Sequence, residues 1–224
     1  MRPAWPVLAA LAVLLAGCAA STGTSTSSAG GAPTARGTRH SGPAPLVITS
    51  LSPIGAYRGM QLDPPQPRPA FTLTDSTGRR YDFAAQTAGR PTFLFFGYTH
   101  CPDVCPTTMA DVAVALRESS AGLRRQVRVV FVTTDPARDT GRVLTRWLRR
   151  FDTGLPVPFI GLTGSVAQVQ AAQVAARVPV ASDGGKTHSA ELLAFGADDY
   201  AHVVYLDGSS PEDIRQDLPS LTRT

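Results

Sequence analysis

Two hydrophobic periods run along this chain, and the switches between them outline its elements. Residues 91–96 (PTFLFF) are a continuous apolar run closed off by proline and glycine, the pattern of a strand buried on both faces. Residues 109–116 (MADVAVAL) then repeat their apolar positions at helical intervals. A second buried strand is predicted over 126–133 (QVRVVFVT) and a third over 157–162 (VPFIGL). Between them TDPARDT at 134–140 ends one strand and opens a helix through about residue 151, with Asp139 or Thr140 as its N-cap. Thr163-Gly164-Ser165 opens a further helix over 166–177. Two strands, 190–195 (AELLAF) and 201–206 (AHVVYL), are joined by a turn at 196–199. Residues 210–221 read as the closing helix, with Ser210 as N-cap, Pro211 at its first position and Pro219 expected to cut it short. Ahead of all this, 70–83 (AFTLTDSTGRRYDF) alternates around Asp75-Ser76-Thr77-Gly78, a hairpin signal. Residues 64–69 (PPQPRP) read as a stiff extended approach, and 46–50 as a short strand. The order implies an α/β fold: a central mixed sheet with parallel crossovers, an antiparallel hairpin at one side, flanking helices and an N-terminal hairpin extension.

The first 45 residues follow another pattern. Residues 1–17 hold one positive charge, Arg2, then an apolar run at 7–15 (VLAALAVLL), and the segment closes on LAGC at Cys18. The run is shorter than the roughly 20 residues of a permanent bilayer span. LAGC resembles a bacterial lipobox, which implies cleavage before Cys18, diacylation of Cys18 and anchoring by two acyl chains. The other reading is an ordinary cleaved signal with an accidental cysteine. Residues 18–45 are Ser, Thr, Gly, Ala and Pro with almost nothing apolar, a flexible tether in which His40 reads as solvated. The folded domain is predicted over 46–224. A chain of 224 residues with 43% apolar content suffices for one sizeable domain plus these attachments. A net charge of +4, without a basic run or an aromatic-interleaved basic patch, argues against a nucleic-acid partner; arginines spread over helix faces account for it.

The chemistry concentrates at 97–109, GYTHCPDVCPTTM, between the first buried strand and its helix. Pro102 and Pro106 confine the start of that helix to about Cys105, leaving Cys101 in the loop before it. A helix N-terminus favours an anion, so a thiol there is expected to ionise more easily than a free one, whose pKa is about 8.5. On a helical turn, positions i and i+4 lie on one face about 5–6 Å apart. Two such thiolates suit Cu(I), Zn(II), disulfide formation or thiol exchange.

The topology makes the domain a thioredoxin-like candidate, and GYTHCPDVCPTT resembles the signature of the SCO/SenC family, thioredoxin-fold copper proteins that assist assembly of cytochrome c oxidase. TDPARDT at 134–140 resembles that family's DPxRDT loop, GLTG at 161–164 its loop after the third central strand, and His188-Ser189 the HS pair that carries its histidine ligand. The resemblance implies that Cys101, Cys105 and His188 bind a copper ion, with Asp135 beside the site as an acid that does not ligate it. It implies a metallochaperone lipid-anchored at the extracytoplasmic face of a bacterial membrane, serving oxidase subunit II or another copper carrier. Gly184-Gly185-Lys186-Thr187 departs from the Val-Asp that many relatives place before HS, and is expected to make that loop flexible.

Each residue also has a plainer reading. Cys101 and Cys105 could form a structural disulfide, or serve a thiol–disulfide oxidoreductase that reduces the same target's cysteines and has no need of His188. A peroxiredoxin-like peroxidase fits Thr99-His100-Cys101 less well, because the second cysteine follows only four positions on. His188 could be a loop histidine, with His202 as a rival ligand. His100 could tune Cys101 or face away. Asp135 and Arg138 could form a loop ion pair. Met109 reads as core, and Met60 stands alone in a Pro/Gly-rich stretch.

Overall fold

The apolar run at 91–96 becomes the axis of the sheet. In the computed structural model, which describes residues 57–224, it forms strand β4 (Thr92–Gly97), every residue of which is buried. Strand β5 (Arg128–Thr133) pairs with it in parallel, and β6 (Ile160–Thr163) continues in parallel beyond β5. On the other side β7 (Leu192–Phe195), β8 (Tyr200–Tyr205) and β1 (Met60–Pro67) follow, each antiparallel to its neighbour. The hairpin β2 (Thr72–Asp75) and β3 (Arg80–Asp82) closes the far edge, with β2 antiparallel to β6. The result is one eight-stranded mixed sheet of order β1-β8-β7-β4-β5-β6-β2-β3.

Successive strand residues point to opposite faces, so each central strand supplies two cores. Phe93, Phe95, Val129 and Phe131 pack under α2 (Val104–Glu118), α4 (Gly141–Asp152) and α6 (Pro211–Leu221). Leu94, Phe96, Val130 and Val132 pack under α1 (Phe83–Thr87) and α5 (Val166–Ala175). The sequence pattern missed α1 and the six-residue α3 (Ala121–Gln126), which are too short to show a period. Their caps, Asp82 and Ser120, accept the amides of Ala85 and Leu123. Thr140, rather than Asp139, caps α4.

Two expectations are corrected. Residues 64–69 are no mere approach: β1 takes up Met60–Pro67 and pairs with β8 at Met60, Gln61, Gln66 and Pro67. Its register shifts between Gln61 and Gln66, where Pro64 and Pro65 have no amide to give; an edge strand tolerates this. Pro219 does not cut α6 short, which runs to Leu221. Leu218 and Leu221 are buried in the core, and the Thr222 amide closes the last turn on Leu218.

Both cores lie within the described residues, so residues 41–224 contain every buried residue of the fold. The leader at 1–17, Cys18, the tether with His40 and the strand expected at 46–50 lie outside the described residues. Among the described residues no helix is long and apolar enough to cross a membrane.

Candidate metal centre

β4 ends on Gly97, and that glycine makes room for a sulfur. A Cβ there would lie 2.7 Å from the Cys105 sulfur and 2.8 Å from the Phe95 ring. The chain then loops through Cys101 into α2, whose first turn carries Cys105. Cys105 is fully buried, Cys101 half-buried, and both are free thiols. Asp103 occupies the N-cap position, but its side chain caps nothing. The Cys105 amide instead donates to the Cys101 sulfur at 3.4 Å, so one thiol satisfies a donor that helix geometry leaves open. Burial pushes the Cys105 thiol far above the ordinary thiol range, and the nearby Cys101 and Asp139 add to the rise. The expected easier ionisation therefore fails at Cys105: desolvation outweighs the field of the helix.

His188 comes from the loop before β7. Its Nε2 lies 3.5 Å from the Cys105 sulfur, and its Nδ1 lies 2.7 Å from the Ser189 carbonyl oxygen. A carbonyl only accepts, so Nδ1–H donates to Ser189 and the Nε2 lone pair faces the sulfurs. Phe95 and Tyr98 hold the ring edge-on, with centroids 6.2 and 5.5 Å away. The ligating atoms of Cys101, Cys105 and His188 all lie within 4.8 Å of one another.

The loop that delivers His188 is pinned, contrary to the flexibility expected of Gly184-Gly185-Lys186-Thr187. Ser182 and Thr187 exchange backbone hydrogen bonds of 2.9 and 3.3 Å across a short turn. Gly185 is buried at φ +88°, where an added Cβ would meet the Thr134 carbonyl oxygen at 2.0 Å. The Thr134 hydroxyl donates to the Gly185 carbonyl at 2.7 Å. A close approach of two backbones explains the glycine.

The other candidates are not among the three converging donors. The Asp135 carboxylate pairs with Arg138. The His202 ring meets Asp198 at 2.8 Å and stacks on Tyr57. The His100 ring is exposed and contacts the Thr99 hydroxyl. Met109 is buried core, and Met60 packs at the edge of the second core. Sequence reasoning missed the work of Asp139, Tyr98 and the Ser189 carbonyl. Fully buried Asp139 accepts the Thr99 amide (2.8 Å), the Thr99 hydroxyl (2.6 Å) and the Thr133 hydroxyl (2.7 Å), tying the end of β5 to the cysteine loop. The only signal for it was its place inside TDPARDT. A cavity of about 330 Å³ lies behind the His188 loop, walled by Pro136, Val169 and Asp183 among others, but none of the three donors lines it.

Two thiols and an oriented imidazole at the start of the helix after a central strand define a class: a thioredoxin-like domain with a soft metal-binding cluster. The family model described as SCO1/SenC matches residues 60–223, and the chain belongs to that family. It is 33% identical over 159 residues to the mitochondrial SCO2 homolog of Bos taurus, covering 69% of this chain. It is 31% identical over 160 residues to a SCO2-like protein of Rickettsia felis, covering 66% of this chain and 73% of that one. The chain spans about half the length of several such relatives, 54% of the Bos taurus protein and 46% of its Danio rerio counterpart. Among solved structures, copper-bound ScoI of Bradyrhizobium japonicum superposes with a TM-score of 0.56 at 30% identity, over 70% of this chain and 99% of that one. Apo Sco1 of Thermus thermophilus gives 0.64 at 27% identity, over 76% and 100%.

Proposed function

We propose that this protein is a copper metallochaperone that loads the copper centre of cytochrome c oxidase subunit II. The observation that carries the reading is the convergence of Cys101, Cys105 and His188 within 4.8 Å, with the imidazole held so that Nε2 faces the sulfurs. Two thiolates and one imidazole suit three-coordinate Cu(I) and can also hold Cu(II). Copper is cargo here. Binding it displaces the proton that burial keeps on Cys105. Half-exposed Cys101 and His188 leave the ion within reach of a partner's thiols, so it can pass by ligand exchange without being freed. Asp135 serves by fixing Arg138 and the loop against which Gly185 rests. The export leader and a diacylated Cys18 hold the domain at the extracytoplasmic face of the membrane, where its target is found.

The dithiol-exchange alternative makes Cys101 the attacking thiol and buried Cys105 the resolving one, and leaves the orientation of His188 without a use. Anaerobic mixing of copper-loaded residues 41–224 with the metal-free soluble domain of subunit II separates the two. The chaperone reading predicts loss of copper from this protein and its appearance in the partner. Reduction of a disulfide in the partner, with Cys101 and Cys105 oxidised to a disulfide here and no copper appearing in the partner, would favour exchange.

A further inference from the structure

One of the helix faces over which the arginines are spread carries a continuous row of them. Arg142, Arg146 and Arg149 are all exposed and follow at helical spacing along the outer face of α4, over about 10 Å. With Thr145 they alone line an open groove of about 490 Å³. Arginines make four ion pairs among the described residues, with Asp199, Asp75, Asp135 and Glu212, and none uses these three. Arg150 follows on the same helix, exposed and stacked on Phe151. Nothing among the described residues neutralises this face.

We propose that the outer face of α4 is a docking surface for anionic phospholipid. Its chemistry is a row of guanidiniums, which match phosphate oxygens with a planar fork. The large apolar residues of α4, Leu144, Trp147, Leu148 and Phe151, are buried in the core. The exposed side therefore lacks the apolar anchor around which a protein interface is built. What remains is an extended cationic strip, suited to a surface of dense negative charge. The anchor proposed at Cys18, after the leader at 1–17, supplies such a surface on the same side as the domain. Docking has a geometric consequence. Arg142 stands in the first turn of α4, just after Asp139, which anchors the cysteine loop. With α4 lying on the bilayer, the end of the helix that leads back to the cysteine loop lies beside the membrane surface. The docking surface does not depend on the copper reading.

The test is flotation of residues 41–224, which lack leader and anchor, with vesicles of phosphatidylglycerol or of phosphatidylcholine. The proposal predicts binding to the first and not the second, released at about 1 M salt, where the screening length is about 3 Å. The triple variant Arg142→Gln, Arg146→Gln, Arg149→Gln should bind phosphatidylglycerol about a hundredfold more weakly, at about fivefold per arginine. A control of equal net charge, Arg58→Gln, Arg90→Gln, Arg223→Gln, replaces exposed arginines elsewhere and should bind like the parent. Undiminished binding by the α4 variant would overturn the proposal, as would an equal loss in the control. Retention on heparin without vesicle binding would also overturn it, and would point to a soluble acidic partner.

Discussion

Gly185 sets how close the His188 loop can come to the strand end that supports it. Gly185→Ala adds a Cβ 2.0 Å from the Thr134 carbonyl oxygen and holds an L-residue at φ +88°. The left-handed backbone alone costs about 1–2 kcal/mol, and the clash must be relieved by moving the loop. We expect urea unfolding to show at least that loss of stability, and a copper titration to show a weaker site with both thiols intact. An unchanged copper affinity would mean that the loop does not position His188. Asp139 acts from the other side. It is a fully buried carboxylate with three donors, and Asp139→Ala leaves the Thr99 amide and two hydroxyls without their acceptor. Lost hydrogen bonds to a charged group predict about 2–4 kcal/mol of destabilisation. Asp139→Asn should restore part of it, because an amide oxygen still accepts. Equal unfolding midpoints for Asp139→Ala and the parent would contradict this. At this scale the ligands were visible in the sequence as residue types in a resembling string. Their geometry was not, because the Ser189 carbonyl, the Gly185 contact and the Tyr98 ring act through space over distances in sequence that no spacing rule covers.

At the scale of elements, hydrophobic period and capping chemistry located the central strands and the long helices. Ser165 and Ser210 both cap where expected, each in a reciprocal capping box. The errors fell where tertiary contacts override local propensity. β1 contains Pro64, Pro65 and Pro67 and is still a strand, because β8 offers it an edge and the ladder skips the prolines. The start of the described chain is held by the closing helix. Asp217 of α6, 1% exposed, accepts the amides of Arg58 and Gly59 and the hydroxyl of Tyr205 on β8. Asp217→Ala leaves the buried Tyr205 hydroxyl and two part-buried amides without their acceptor and should cost about 1–3 kcal/mol in urea unfolding. It should also raise hydrogen exchange in β1 more than in β4. Equal protection of both strands, before and after, would show that Asp217 does not clasp this edge.

For the whole molecule, burial of tyrosines adds to the buried Cys105 thiol in making stability fall at alkaline pH. Desolvation pushes Tyr81 up to about 12 and Tyr205 well above its ordinary value. In the unfolded chain both ionise near 10. Between these values the unfolded state binds fewer protons than the folded one, so the tyrosine contribution to stability is intact below about pH 10 and falls as pH rises through the folded pKa of about 12. Tyr81 alone accounts for about 2–3 kcal/mol at the top of that window. Tyr81→Phe should flatten the decline of the urea midpoint above pH 10 relative to the parent; parallel declines would contradict the assignment. The α/β class and thioredoxin-like topology follow from element order, which depends only on local patterns. The pairing of β1 with β8 emerges only when distant segments pack.

The central claim is that three side chains hold one copper ion together. Copper titration of reduced residues 41–224, alongside Cys101→Ser, Cys105→Ser and His188→Ala, tests it most directly. The account predicts one equivalent bound by the parent with strong sulfur-to-copper charge-transfer absorption, loss of tight binding in either serine variant, and a weakened, shifted signal in the alanine variant. Full copper retention by either serine variant would contradict it.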